Sequence, residues 1–352
     1  MKFIPHSKPT LGQAEIDSAS KVIESSMIAQ GAVVTSFEEE FTDIFDAGYA
    51  AAVNSGTSAL HLALLSMGVH KSDEIIIPSY VCTALLNAVE YIGATPVLAD
   101  INSETGNIDP EDIKKRLSKK TKVIIVPHMF GLSAEMDDIL EIDIPVLEDC
   151  AQSVGGSYNG EYTGKSGTAA VFSFFATKVI TSGEGGMVVS SSDEIIKYVK
   201  DMREYDQKNN YKIRYNYKMT DIQAAVGLVQ LKRLSSFIER RRFIAEKYNN
   251  AFKDLDLKIP DKHPGHIYFR YCINLGSESE TWINILRKKG IGCSKPVYLP
   301  IHKYLKQNRY HKTDKLWAES ISLPIYPSLS ENEVDFVIEN FVETYMEVNG
   351  ER

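Results

Sequence analysis

The sequence predicts an α/β protein, with a large domain on a mostly parallel sheet covered by helices on both faces and a smaller C-terminal α/β domain after it. Two observations carry this prediction. Between residues 50 and 202, short apolar runs alternate with stretches of helical periodicity, the pattern of strands joined by crossover helices. The chain has 352 residues and is 43% hydrophobic, enough to bury a large core and to form two domains.

The elements follow in order. The apolar run 50–53 gives way to Asn54-Ser55-Gly56-Thr57-Ser58 and then to a helical pattern over 57–67. Strands are predicted at 74–78, 96–100, 122–127, 145–148, 169–174 and 186–190, and helices at 82–92, 110–117 and 192–202. From 220 to 252 the pattern is one long helix or a kinked pair, and 257–265 is rich in Pro, Lys and Asp. The domain boundary is placed near residue 245, so that 1–245, N-terminal segment included, form the large domain and 246–352 the small one. Glu239-Arg240-Arg241-Arg242 and Lys288-Lys289 read as solvated helix faces. No internal repeat or low-complexity tract interrupts the pattern.

Composition narrows the setting. Cys82, Cys150, Cys272 and Cys293 are scattered without metal-ligand or disulfide-framework spacing, which suits a reducing cytoplasm. The N-terminus shows no apolar signal core, and no stretch reaches the roughly 18 to 20 apolar residues of a membrane span. A cytoplasmic protein with no membrane partner is therefore expected. A net charge of -8 argues against a nucleic-acid footprint. The eight histidines form no metal-binding motif, no metal is expected, and His61 reads as packed on its helix.

Three segments carry chemistry. Lys178 lies between the strand-like run Phe172-Ser173-Phe174-Phe175 and the glycine-rich Gly183-Glu184-Gly185-Gly186. A lysine placed there is poorly solvated and could hold a carbonyl compound as a Schiff base; the alternative is an ordinary surface charge. A helix starting at Gly56-Thr57-Ser58 would aim free backbone N–H groups and two hydroxyls at one spot, which suits a phosphate, although an ordinary N-cap has the same composition. The third segment, 144–153, reads as a buried strand ending in acid. Asp149 at such an end would face the crevice where α/β sheets bind ligands, or would cap the next helix. A phosphate cradle, a buried carboxylate and a Schiff-base lysine together are the needs of pyridoxal phosphate.

In this order and with these separations, the segments resemble the DegT/DnrJ/EryC1/StrS family of pyridoxal-phosphate enzymes, known as sugar aminotransferases. The likeness runs from Ile4-Pro5-His6-Ser7-Lys8-Pro9 and Gln30-Gly31, through Pro78-Ser79-Tyr80, Gly93-Ala94-Thr95-Pro96-Val97 and the Lys178 loop, to the segment 214–225 and Leu323-Pro324. It implies the aspartate-aminotransferase-like fold (fold type I), with a seven-stranded, mostly parallel sheet. It also implies an aminotransferase that takes nitrogen from L-glutamate and delivers it to a keto-sugar nucleotide, in amino-sugar and surface-polysaccharide biosynthesis. Lys178 would carry the cofactor and move the proton, and Asp149 would pair with the pyridine nitrogen. Gln152 matches a position at the phenolic oxygen. Gly56, Thr57, Ser58 and Ser173 match phosphate positions, and Asn216 matches one supplied by a neighbouring subunit, which implies a homodimer. Gly183, Glu184 and His302 are candidates for the substrate side. Retention of Lys178 favours transamination over the related dehydratases that carry histidine there. Where many relatives place an aromatic ring on the cofactor face this chain has Cys82, leaving either Cys82 itself or nearby Tyr80 for that role. Two other readings stay open: an acceptor that is a smaller phosphorylated ketone or a keto-cyclitol, and a regulatory protein that keeps the fold without turnover.

Overall fold

Branched apolar residues fill successive strand positions, so both faces of each strand need cover, and the computed structural model, which describes residues 3–350, supplies it. The strands are β1 (Tyr49–Val53), β2 (Glu74–Pro78), β3 (Thr95–Ala99), β4 (Thr121–Pro127), β5 (Val146–Asp149), β6 (Ser157–Tyr158), β7 (Glu161–Tyr162), β8 (Ala169–Ser173), β9 (Gly186–Ser190), β10 (Tyr271–Asn274) and β11 (Ser320–Leu323). Seven of them form one sheet in the order β1-β9-β8-β5-β4-β2-β3. All pairs from β8 to β3 are parallel, and β9 runs antiparallel to both its neighbours.

Alternation along each strand divides the core. Ile75, Ile77, Val123 and Ile125 face one layer with Leu62, Leu85 and Val199 from three helices. Ile76, Ile124 and Val126 face the opposite layer, and there Ala50, Ala52 and Phe172 meet Phe37, Phe41 and Phe237. Burying each large side chain contributes roughly 1.5–3 kcal/mol, which is why a doubly covered sheet tolerates continuous apolar runs. The helices Gly56–Ser66, Thr83–Ile92, Pro110–Arg116 and Asp193–Met202 lie within about a residue of their predicted bounds.

The 220–252 region is a pair of helices, Asp221–Lys232 and Leu234–Phe252, broken at Arg233. The second belongs to two cores. Leu234, Phe237 and Ile238 pack under the sheet, whereas Ile244, Tyr248 and Phe252 join Trp282, Phe341 and Tyr271 in a separate cluster around β10 and β11. The N-terminal segment departs from its expected place. Ile4 donates to Gly290 O (2.9 Å), accepts from Gly292 N (2.7 Å) and lies in the C-terminal cluster, because an apolar side chain and two free backbone groups there complete an edge of that unit. The chain also returns to the large unit further on: Val297, Ile301 and Leu316 pack with Tyr80 and Leu85, and Asp100 accepts from Thr313 N (3.0 Å) and Oγ1 (2.7 Å).

The run Glu239-Arg240-Arg241-Arg242 is only in part the solvated face that its charge suggested: Glu239 and Arg242 are exposed, but Arg241 is not. Arg241 is buried and donates to the carbonyls of Tyr268, Phe269 and Ile325, and burial with Arg270 nearby lowers its pKa to about 10. Arg240 donates to Leu329 O, and Arg242 to His266 O and Pro264 O. Carbonyls left open by irregular backbone need donors, and three adjacent arginines on one helix supply them.

Candidate active site

Parallel strands end on one edge, and the sequence-predicted residues gather there. Asp149 ends β5, in register with Pro127 of β4 and Val171 of β8. Ser173 ends β8 opposite Gly186, which begins β9 and pairs in turn with Val53. Directly after β1 comes the helix Gly56–Ser66, capped by Ser55, whose Oγ accepts from Ser58 N (3.1 Å). Its N-terminus presses on Ser173: a Cβ at Gly56 would come within 2.8 Å of Ser173 Cβ. Only glycine lets the helix start so close to the strand end.

Asp149 is a buried carboxylate whose Oδ1 accepts from Ala151 N (3.0 Å). Burial raises its pKa, only partly offset by that hydrogen bond and by the charge of Lys178. Lys178 is half-buried in the turn after β8, with Nζ 5.3 Å from the Phe269 ring centroid. Desolvation lowers its pKa; Cys82 and Asp149 oppose that shift, and Arg270 adds to it. An acid with no salt-bridge partner among the described residues and an amine inclined to lose its proton thus stand near one another.

The remaining residues divide. Gln152 Oε1 accepts from Phe130 N (3.0 Å), leaving the amide Nε2 with only a 4.0 Å approach to Met129 Sδ. Ser58 is less open than its position suggested: its hydroxyl donates to Asn54 Oδ1 (2.7 Å) and meets Ser55 Oγ (2.9 Å). Asn216 is exposed beside that helix start, its carbonyl accepting from Asn54 Nδ2 (3.3 Å). Gly183, at φ +83°, and Glu184 are exposed on the loop before β9, where Glu184 O accepts from Gln223 Nε2 (3.0 Å).

Two expectations change. His302 is not open to a substrate: it is fully enclosed, its Nε2 pairs with Asp314 Oδ1 (3.1 Å), and burial lowers its pKa. Its short helix turns inward because Ile301 N donates to Ser79 O. Tyr80 is fully buried and meets Phe130 edge-on at 6.1 Å, so its ring is not open to solvent as a place on the cofactor face suggested. Cys82, by contrast, is exposed at the start of the helix Thr83–Ile92 and lies close enough to influence Lys178.

Sequence reading missed Arg270 and Phe269. The one available signal was an arginine inside the apolar run Ile267-Tyr268-Phe269-Arg270-Tyr271. It also missed Asp221, which accepts from Gly31, Val33 and Val34 N and so caps the helix Ala32–Phe45. The trio His128, Glu148 and Cys150 gathers within 4.8 Å, but its atoms are committed. His128 bonds Glu148 (2.9 Å) and accepts from Ala134 N, and Glu148 accepts from Gly164 and Gly167.

The donor set fits pyridoxal phosphate. Asp149 lacks the cation that a protonated pyridine nitrogen would provide, Lys178 is an amine near it, and the Gly56 cradle places helix amides at the strand edge.

Comparison with known proteins points the same way. The model of the DegT/DnrJ/EryC1/StrS aminotransferase family matches residues 9–342. A GDP-perosamine synthase of Escherichia coli O157:H7 is 35% identical over 371 residues, covering 98% of this chain and 99% of that protein. The spore coat polysaccharide biosynthesis protein SpsC of Bacillus subtilis is 34% identical, with 96% of each covered. Among solved structures, Helicobacter pylori PseC, an aminotransferase involved in pseudoaminic acid biosynthesis, matches with a TM-score of 0.92 at 27% identity over 99% of this chain and 100% of that one. The PLP form of Spr1654 from Streptococcus pneumoniae matches with a TM-score of 0.93 at 28% identity over 98% and 99%.

Proposed function

The chain belongs to the DegT/DnrJ/EryC1/StrS aminotransferase family and is a pyridoxal-phosphate-dependent aminotransferase, and from that membership we propose that it moves nitrogen from L-glutamate to a nucleotide-linked keto-sugar. The product would be an amino sugar for a surface polysaccharide, made in the cytoplasm. The observation that carries the chemistry is the unpaired, buried Asp149 beside a desolvated Lys178 on the edge where the helix Gly56–Ser66 begins. The acceptor class rests on the perosamine, spore-coat and pseudoaminic acid relatives.

Pyridoxal phosphate supplies an electron sink that makes the Cα–H of a bound amine acidic. The chain's own residues do the rest. Asp149 would hold a proton on the ring nitrogen, since an ionised carboxylate in a buried setting favours a cationic partner. The amides at Gly56 and Thr57 and the hydroxyls of Thr57 and Ser173 would bind phosphate. The Nε2 of Gln152 would donate to the phenolic oxygen. Lys178 would hold the cofactor at rest and then, its pKa lowered by burial, take the proton from the substrate's Cα and return it one atom away. Cys82 would lie against the ring. Asn216 would complete the phosphate site of a second copy, making the homodimer the active unit.

The test is a pair of half-reactions. L-Glutamate should release one equivalent of 2-oxoglutarate per site and bleach the resting visible absorbance, and a nucleotide keto-sugar should restore that absorbance faster than simple keto acids do. Restoration by a small phosphorylated ketone alone would overturn the acceptor class.

A further inference from the structure

Phe130 holds a backbone shape that a phenylalanine avoids. Its φ of +59° and ψ of 11° are left-handed, a region that a Cβ disfavours. Gly131 follows at φ +94°, and a Cβ there would lie 2.7 Å from Ile267 Cγ1 and 2.8 Å from Phe269 N. Opposite this turn the C-terminal unit carries a second buried left-handed aromatic residue, Tyr268, at φ +49°. The two turns hold each other. Ile267 N donates to Gly131 O (3.0 Å), Arg270 N donates to Phe130 O (3.3 Å), and His266 Nε2 lies 3.3 Å from that same oxygen. Burial lowers the His266 pKa to about 4, so the ring is neutral and this contact is an Nε2–H donation. Asn107 fixes the other flank, accepting from Met129 N (2.7 Å) and donating to Ser133 O (3.0 Å). Strain of this kind persists where neighbours over-determine it, and it concentrates at functional sites.

The left-handed residue bonds on two sides. Its φ and ψ set the angle between its own N–H and C=O, and here they send the C=O to the C-terminal unit and the N–H to Gln152 Oε1 (3.0 Å). An unrestrained glutamine amide can present either its oxygen or its nitrogen in one direction. With Oε1 engaged by a donor, Nε2 is the atom left to face elsewhere, and it approaches only Met129 Sδ, at 4.0 Å. We infer that Phe130 is the positioning residue for Gln152: its left-handed backbone, clamped by the 266–270 turn, makes the amide present a donor to the cofactor's phenolic oxygen. The inference rests on the reading of Gln152 given above. The amide touches the cofactor, and Phe130 acts only through the amide. A donor at that oxygen favours its ionised form, so this hydrogen bond lowers the pH at which the resting visible absorbance titrates. A misplaced amide raises it.

The experiment titrates the visible absorbance of cofactor-loaded enzyme against pH, with the melting temperature measured alongside. Phe130→Gly and Phe130→Val both remove the ring, and glycine removes more side chain. Glycine nonetheless enters the left-handed region freely, whereas a β-branched residue resists it. Phe130→Gly should therefore melt lower than wild type but hold its midpoint, while Phe130→Val should raise the midpoint by roughly one pH unit, as Gln152→Ala does. In the Gln152→Ala background, Phe130→Val should add no further shift. Phe130→Ala, with a single Cβ, should fall between the two, and it takes the place of Phe130→Val if that variant does not fold. A midpoint that follows side-chain size, with Phe130→Gly shifted most, or additive shifts in the double variant, would overturn the inference and leave Phe130 a packing residue. A Gln152→Ala midpoint equal to wild type would remove Gln152 from the phenolic oxygen and take the inference with it. A raised midpoint in Gln152→Ala with Phe130→Val at the wild-type value would overturn the role of Phe130 alone.

Discussion

At the residue scale, Asp149 and Lys178 were legible because each sits where a strand pattern breaks, and the parallel topology brings such breaks to one edge. Arg270 was not, since its place depends on Lys178 and Phe269 meeting it in space. Arg241 was misread because helical spacing shows which residues share a face but not what covers that face. The raised pKa of Asp149 has a consequence for the cofactor-free protein. The folded state holds that proton more tightly than the unfolded one, so this group lowers stability as pH rises from its unfolded pKa through its folded value. Asp149→Asn should therefore melt no lower than wild type at neutral pH without cofactor. It should nonetheless gain less stability when pyridoxal phosphate is added and lose roughly a hundredfold or more in turnover. A calorimetric titration on both proteins checks this, and unchanged cofactor stabilisation would contradict the pairing. Cys82 is the one exposed cysteine, whereas Cys150 and Cys293 are buried and Cys272 is intermediate. Thiol reagents should label Cys82 first, and bound cofactor should slow that labelling; equal rates with and without cofactor would remove Cys82 from the ring face.

At the element scale, the strands and helices expected between residues 50 and 202 lie within about a residue of their places, since each carries its own periodicity, whereas the helices Gln13–Ser25, Ala32–Phe45 and Met136–Leu140 and the two-residue strands β6 and β7 were not read. The loop between Arg203 and Thr220 has no period to read, and charges hold it instead. Asp201 receives Lys208 (3.2 Å), Arg214 Nε (3.0 Å) and Lys212, which together pull its pKa down to about 2. The depressed pKa means that this stabilisation is present above the unfolded value near 4 and is lost as pH falls through about 2. Asp201 is partly exposed, so the effect on global stability should be small and its main consequence local. Asp201→Asn should leave the melting temperature within a few degrees of wild type but speed proteolysis within 204–213 several-fold at neutral pH. Proteolysis unchanged there would show that backbone contacts, not the ion cluster, hold the loop.

At the scale of the whole molecule, the two cores share one helix, and the C-terminal unit reaches back through Asp100 and Thr313. A boundary near residue 245 falls inside that helix, where its contacts pass from one core to the other; the crossing of Ile4 and of 297–316 could not be read, because such contacts carry no local pattern. The proposed dimer belongs to this scale. Mixing Lys178→Ala with an impaired Asn216 variant should yield heterodimers with one intact site and up to about a quarter of wild-type activity, the share expected for random exchange between two-fold partners. No recovery after demonstrated subunit exchange would place Asn216 in its own subunit's site.

The most direct measurement follows the nitrogen itself. L-Glutamate labelled with ¹⁵N, mixed with enzyme and a nucleotide-linked keto-sugar, should give labelled amino sugar and an equal amount of 2-oxoglutarate, with borohydride fixing cofactor on Lys178 and the Lys178→Ala protein roughly a thousandfold slower. Release of 2-oxoglutarate with no ¹⁵N in the sugar, or label transferred by Lys178→Ala at the wild-type rate, would contradict the account.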